Sequence, residues 1–256
     1  MNYIAIIPSR YGSTRLHAKA LRKLCGKEMF WHVYTRTRCC PLFSEVYLAT
    51  DDERIADVAK HYAIPYIMTS KEHKSGTDRV YEAARSLGVD KETVIANIQG
   101  DEPLIHPEML TQLLSPFEKE SEVNVTTLCT DLHAEDIDTP ARVKVIMDKH
   151  SKALYFSRSP IPYNRTAYPF EYKVHLGLYA FRYNALEHFV SYEPCALELT
   201  ESLEQLRFLY NGIPIHVVHT QHTIHSVDEE EDIAIVEQIL QQEQENNIYY
   251  TPTTQM

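Results

Sequence analysis

No run of apolar residues in this sequence approaches the length of a membrane span. The N-terminus, MNYIAIIPSR, has no basic flank and too short an apolar run for a secretory signal. No CxxC spacing occurs among the five cysteines, Cys25, Cys39, Cys40, Cys129 and Cys195. Their odd number argues against a disulfide framework and fits a reducing cytoplasm. Cations are scarce: 25 Lys and Arg stand against 36 Asp and Glu, a formal charge of -11. That balance excludes broad binding to nucleic acid, which needs a basic surface. No GxGxxG is present. Gly26-Lys27-Glu28 fails the P-loop pattern, because Glu28 stands where Ser or Thr is required and Leu21 where the first glycine belongs. A dinucleotide-binding dehydrogenase and a P-loop ATPase are excluded by motif.

What is present is an ordinary soluble composition, 44% hydrophobic and 24% charged over 256 residues. It predicts one large domain, or one domain with a sizeable insertion. Continuous apolar runs predict buried strands at Tyr3 to Pro8, Glu45 to Thr50 and Thr93 to Gln99, with a short strand at Tyr66 to Met68. Helices are predicted over Phe30 to Arg38, from Asp51-Asp52 onward, over Thr77 to Leu87 and over Pro107 to Leu114. Val123 to Thr130 and Val143 to Met147 read as strands, Thr200 to Tyr210 and Asp228 to Gln241 as helices. Strands alternating with helices argue for an α/β fold with a mostly parallel sheet. Residues 150–198 are crowded with aromatics and prolines and read as an inserted subdomain. The terminal ENNIYYTPTTQM reads as a polar tail.

Ligands in open α/β sheets bind beyond the carboxyl ends of the strands. Three unusual segments fall there: IPSRYGSTRLHAKAL after the first strand, Thr50-Asp51-Asp52 after the second, and Gln99-Gly100-Asp101 after the third. The first carries Arg10, Arg15 and Lys19 with Ser13, Thr14 and Gly12. Cations and backbone N–H groups suit phosphate oxygens, and Asp101 suits magnesium. A solvated basic turn is the competing reading of the loop.

Several blocks, in order and nearly end to end, carry a resemblance: IPSRYGSTRL, VYLATDDERI, SGTDRV, NIQGDEPLI, YFSRSPIPY, HLGLYAFR, LEQLR and VDEEEDI. The chain resembles the Kdo cytidylyltransferases (CMP-Kdo synthetases), where Kdo is 3-deoxy-manno-octulosonate. The resemblance implies a nucleotidyltransferase-type three-layer α/β/α, Rossmann-like fold with a mostly parallel mixed sheet and a dimerisation insertion at 150–198. It implies transfer of CMP from CTP to the anomeric hydroxyl of a 2-keto sugar acid, with magnesium as cofactor and pyrophosphate released, for bacterial surface polysaccharide. By motif position, Arg10, Ser13, Arg15 and Lys19 would contact phosphates. Ser75 and Arg79 would lie near the cytidine, and Gln99 on the substrate side. Asp101 and Asp228 would hold magnesium, while Arg158, His175, Tyr179, Glu204 and Gln205 would shape the sugar-acid pocket. Arg158 suits the substrate carboxylate because its planar fork matches two oxygens. The family is dimeric, and Tyr155, Phe156, Ile161 and Tyr163 supply an apolar patch consistent with that.

Taken locally, Arg79 and Gln205 read as solvated helix faces, Asp228 as a helix N-cap, and His175 as a satisfied core histidine. The family usually reads RLPGKPL where this chain has Arg15-Leu16-His17-Ala18-Lys19-Ala20-Leu21. Losing proline, glycine and proline predicts a more mobile or re-routed loop. His216, His219, His222 and His225 recur at every third position. A strand would point alternate members to opposite faces, which favours a strand and loop over a metal cluster. Two other functions compete. A nucleotide-sugar glycosyltransferase would want an Asp-x-Asp motif, but Asp101 is followed by Glu102 and Pro103. A non-catalytic nucleotide binder draws support from the altered loop.

Overall fold

The computed structural model describes residues 1–12, 16–73, 75–246 and 248. Most of the C-terminal tail, and Ser13, Thr14 and Arg15 of the cationic loop, lie outside them. The chain divides into two compact units, Met1–Thr111 with Ile224–Met256, and Gln112–Thr223.

In the first unit, β1 (Tyr3–Ser9) leads to a small hairpin of β2 (Lys23–Leu24) and β3 (Lys27–Glu28). Cys25 and Gly26 turn that hairpin, both at positive φ, the backbone of a type I′ turn. Then come α1 (Met29–Arg38), β4 (Glu45–Thr50), α2 (Glu53–His61), β5 (Tyr66–Met68), α3 (Gly76–Ser86) and β6 (Val94–Asn97). The sheet order is β6-β1-β4-β5, every pair parallel. Nearly every residue of β1 is buried, which requires cover on both faces. Helix α1 packs on β1 and β4, α2 on β4 and β5, and α3 on β1, β4 and β6. Asp52 starts α2 by accepting from the Arg54 N–H at 3.0 Å.

Helix α4 (Pro107–Lys119) outruns the predicted end at Leu114 and passes through Pro116. Met109, Leu110, Leu113, Leu114 and Phe117 are all buried. This apolar stripe carries the helix past a proline that forgoes one backbone hydrogen bond, and the Gln112 carbonyl accepts from Ser115 Oγ at 3.0 Å.

The second unit holds β7 (Val125–Asp131), β8 (Lys144–Met147), β9 (Ala153–Ser157), β10 (Lys173–Arg182), α5 (Tyr183–Ser191), α6 (Ala196–Glu201), α7 (Leu206–Tyr210) and β11 (His216–His219). Its strands run in the order β11-β7-β10-β8-β9. The pair β11–β7 is parallel and the others are antiparallel. In the segment 150–198, strand β10 pairs along β7, and the compact unit extends beyond the segment on both sides. The helix predicted over Thr200 to Tyr210 is broken, because Ser202 adopts a left-handed φ of 53° and ends α6. Phe156, expected on an exposed patch, is wholly buried, whereas Tyr163 is 87% exposed. Helix α8 (Glu230–Glu245) belongs to the first unit.

Candidate active site

From β1 the strands of the first unit run outward through β4 and β5, and β6 then returns to the other flank of β1. That reversal is a topological switch point, and ligands of such sheets bind beyond the carboxyl ends of the strands there, here β1 and β6. Both strands deliver candidate residues to it. Arg10 is exposed at the end of β1. Downstream, Leu16 is buried with Leu24, Met29, Val227, Val236 and Leu240, which returns the loop to the core. The Tyr11 ring lies 3.3 Å beneath the Arg54 guanidinium, and its hydroxyl is 3.2 Å from His17 Nε2.

Ala18 sits at φ 52°, ψ 36°, the left-handed conformation, just before a 3₁₀ turn at Lys19–Leu21. The altered loop keeps a glycine-like backbone at this point, held by an alanine under steric strain. Left-handed backbone costs an L-residue about 1–2 kcal/mol. Ala18→Gly is therefore expected to stabilise the protein by about 1 kcal/mol, net of the greater unfolded-state entropy of glycine. A raised urea midpoint at constant m-value is the check.

At the end of β6, a Cβ on Gly100 would lie 2.7 Å from both the Pro8 carbonyl oxygen and Ser9 Oγ. Only glycine allows this close approach, and it seats Asp101 at the switch point. Lys19 Nζ donates to Asp101 Oδ2 at 2.6 Å and to Asp228 Oδ1 at 3.0 Å. Asp228 is not the N-cap of α8. Glu229 is, in a reciprocal capping box with Asp232, and Asp228 lies one residue outside. Two carboxylates from distant chain positions thus converge on one ammonium. The set of two hard oxygen donors beside a stand-in cation fits a magnesium ion, which takes one or two carboxylates plus substrate phosphates.

Glu102, beside Asp101, did not stand out in the sequence. It is 8% exposed. Its Oε1 accepts from Ser226 Oγ at 2.5 Å, and its buried Oε2 has no hydrogen-bond partner. Burial, with the neighbouring charge of Asp101, pushes its carboxyl up to about 8. Adjacency to Asp101 was the only signal available.

Ser75 and Arg79, expected near the cytidine, and Gln99, expected on the substrate side, are each anchored by the chain itself. Arg79 is buried, donating to Asp51 at 2.7 Å and Thr69 Oγ1 at 2.5 Å, so it is no solvated helix face. Ser75 caps α3, accepting from the Asp78 N–H at 3.1 Å. Gln99 Nε2 lies 3.4 Å from Asn97 Oδ1. Gly76, at the start of α3, has Gln99 Oε1 3.7 Å from where a Cβ would stand, which gathers Ser75, Gly76 and Gln99 in one place.

The second unit gathers its own polar cluster. A bulge between Leu176 and Tyr179 re-aims β10. His175 Nε2 is then 2.8 Å from the Tyr179 hydroxyl and 3.1 Å from Thr127 Oγ1. The His175 ring packs edge-on to Phe156 at 5.0 Å. This enclosure pushes its pKa down to about 3. Burial likewise drives the Tyr179 phenol well above its ordinary value. His175 is therefore neutral in the folded protein, while its unfolded pKa is about 6.5. Its contribution to stability is full above pH 6.5 and is lost as pH falls from there toward 3. The slope adds at most about 1.4 kcal/mol per pH unit. Urea titrations across that window should show His175→Gln flatter than the parent.

Arg158 donates from Nε to the Glu201 carbonyl at 2.7 Å, from one terminal nitrogen to Pro140 at 3.1 Å, and from the other to Ser202 at 3.3 Å. Its own carbonyl accepts from the fully buried Lys144 at 2.5 Å. Gln205 is buried, with no partner for its amide nitrogen, so it is no solvated face. Of the repeated histidines, His216 is buried in β11, whereas His219 reaches Asp131 at 3.1 Å.

The sequence profile of the cytidylyltransferase family matches residues 4–250. A 3-deoxy-manno-octulosonate cytidylyltransferase of Lawsonia intracellularis is 50% identical over 244 residues, covering 95% of this chain and 96% of the relative. The chain belongs to the 3-deoxy-manno-octulosonate cytidylyltransferase family. A second member, from Acidobacterium capsulatum, is 44% identical over 94% of the chain and 97% of its own length. A solved CMP:2-keto-3-deoxy-manno-octonic acid synthetase complexed with CTP superposes with a TM-score of 0.91 at 37% identity. It covers 95% of this chain and 100% of its own. The fold alone extends further, to a 4-diphosphocytidyl-2C-methyl-D-erythritol synthase from Anaerococcus prevotii at TM-score 0.61 and 16% identity, covering 94% and 99%. The chain shares the family's α/β nucleotidyltransferase-like fold.

Proposed function

We infer that this protein transfers CMP from CTP to the anomeric hydroxyl of Kdo or a close variant, releasing pyrophosphate. The observation that carries this reading is the meeting of Asp101 and Asp228 at Lys19 beyond the strand ends, in a chain of this family. Both reactants are anions. Two like charges ~4 Å apart at an effective dielectric of ~20 repel by about 4 kcal/mol, which is about three decades of rate. Positive charge has to be supplied locally in a protein of net charge -11. Arg10, Ser13, Arg15 and Lys19 are assigned to the triphosphate, with Lys19 stabilising charge that develops during transfer. Asp101 and Asp228 would hold magnesium, which when bound neutralises phosphate charge and acidifies or orients the attacking hydroxyl.

Ser75 and Arg79 are assigned to nucleotide recognition, and Gln99 to the substrate side of the site. The two hydrogen bonds of Arg79 suit it to fixing the walls of that site. His175, Tyr179, Glu204 and Gln205 are assigned to the sugar acid. Neutral His175 and protonated Tyr179 offer hydrogen bonds to sugar hydroxyls without adding charge. Arg158, three of whose donors rest on backbone carbonyls, frames that pocket. We place the reaction in the cytoplasm, in keeping with five free cysteines. Among the described residues no helix is long and apolar enough to cross a membrane. The exposed side chains of Leu154, Tyr163 and Tyr168 support a homodimer.

Phosphorus NMR of the protein with CTP, magnesium and Kdo tests the reading. The three CTP resonances should give way to pyrophosphate and one phosphodiester signal. Release of inorganic phosphate without a phosphodiester would overturn it.

A further inference from the structure

Asp228 reaches Asp101 along a short strap, and each residue of that strap is held by a different bond. The Ser226 hydroxyl donates to Glu102 Oε1 at 2.5 Å. The Val227 N–H donates to the Asp101 carbonyl at 3.0 Å, and its side chain is fully buried with Leu16, Leu24, Met29, Val236 and Leu240. The Asp228 and Glu229 N–H groups donate to Asp232 Oδ2 at 2.7 and 2.8 Å. Glu102 is the costly member of this set. A buried carboxyl with one oxygen unpartnered is unfavourable, and a leucine would serve the core better. We propose that Glu102 is a positioning residue, which through Ser226 sets the Asp228 carboxylate against that of Asp101 and so fixes the spacing of the divalent-cation site.

This rests on the assignment of Asp101 and Asp228 to a metal. Outer partners that orient metal ligands typically cost 10–100-fold in affinity when removed. Only an acceptor oxygen at residue 102 is needed to hold Ser226. Glutamine keeps one and leucine does not. That separates positioning from any role of the acid itself.

The test is the dissociation constant of Mn2+, read by electron paramagnetic resonance in the presence of CTP and without sugar acid, so that no turnover occurs. Glu102→Leu and Ser226→Ala are each expected to weaken Mn2+ binding about tenfold, and Glu102→Gln to stay within about twofold of the parent. Ser226→Ala removes one half-buried hydroxyl, and its Mn2+ affinity decides the question if Glu102→Leu fails to fold. Parental Mn2+ affinity in Ser226→Ala would overturn the proposal. So would a Glu102→Gln as impaired as Glu102→Leu. Asp101→Asn is measured alongside. If it binds Mn2+ like the parent, the metal assignment itself falls, and the proposal with it. If Asp101→Asn loses Mn2+ while the strap variants do not, only the proposal falls.

Discussion

Asp101→Asn is expected to abolish magnesium-dependent turnover, a loss of at least about a thousandfold in kcat, while the fold stays intact. The asparagine has the shape of the aspartate, so Gly100 and its close approach to Pro8 and Ser9 are undisturbed. What is lost is one of the two anionic oxygen donors gathered at Lys19. The ion pair with Lys19 is only partly buried, at 12% and 36% side-chain exposure, and such pairs contribute at most about 1 kcal/mol. The melting temperature should therefore move by a few degrees at most. A magnesium titration of initial rates, beside a circular-dichroism melt, checks both halves. Near-parental turnover in Asp101→Asn would remove the carboxylate from the mechanism.

Lys19→Met is expected to lower kcat by about a hundred- to a thousandfold, in the range seen when one donor to developing charge is deleted. Methionine keeps most of the aliphatic stem, so the 3₁₀ turn at Lys19–Leu21 retains its packing. The effect should survive saturating CTP, since the ammonium is assigned to the transition state more than to the ground state. A second readout should move the opposite way. Without Lys19, Asp101 and Asp228 face each other unneutralised, and the nucleotide-free protein should bind Mn2+ more tightly than the parent. A variant with raised KM for CTP and unchanged kcat would mean that Lys19 only binds substrate.

The parallel sheet was legible because its strands are buried on both faces and so read as unbroken apolar runs. Where β4 ends was legible too, since Asp51 breaks its run abruptly, whereas β6 stops at Asn97, two residues short of the predicted Gln99. Residues whose role depends on distant partners were not. Arg79 has the spacing of a solvated helix face, but Asp51 and Thr69, from other segments, draw it inward. Asp228 looked like a cap because it precedes a helix. That Glu229 takes the cap depends on Asp232 closing the box. Glu102 was hidden because nothing local marks an acid as buried. The break at Ser202 and the run through Pro116 were hidden for the opposite reason, since tertiary packing overrode the local preference. At Ala18, the missing glycine was legible as a departure, but the sequence did not say that alanine would hold the left-handed backbone.

Transfer that needs both anions at one site is the central claim. Pyrophosphate release by the purified protein, with CTP, magnesium and a panel of ulosonic acids beside a no-sugar control, tests it most directly. Release is predicted only when CTP, magnesium and Kdo or a close variant are all present. CTP binding without release for any sugar acid would contradict that claim and leave a nucleotide-binding protein in place of an enzyme.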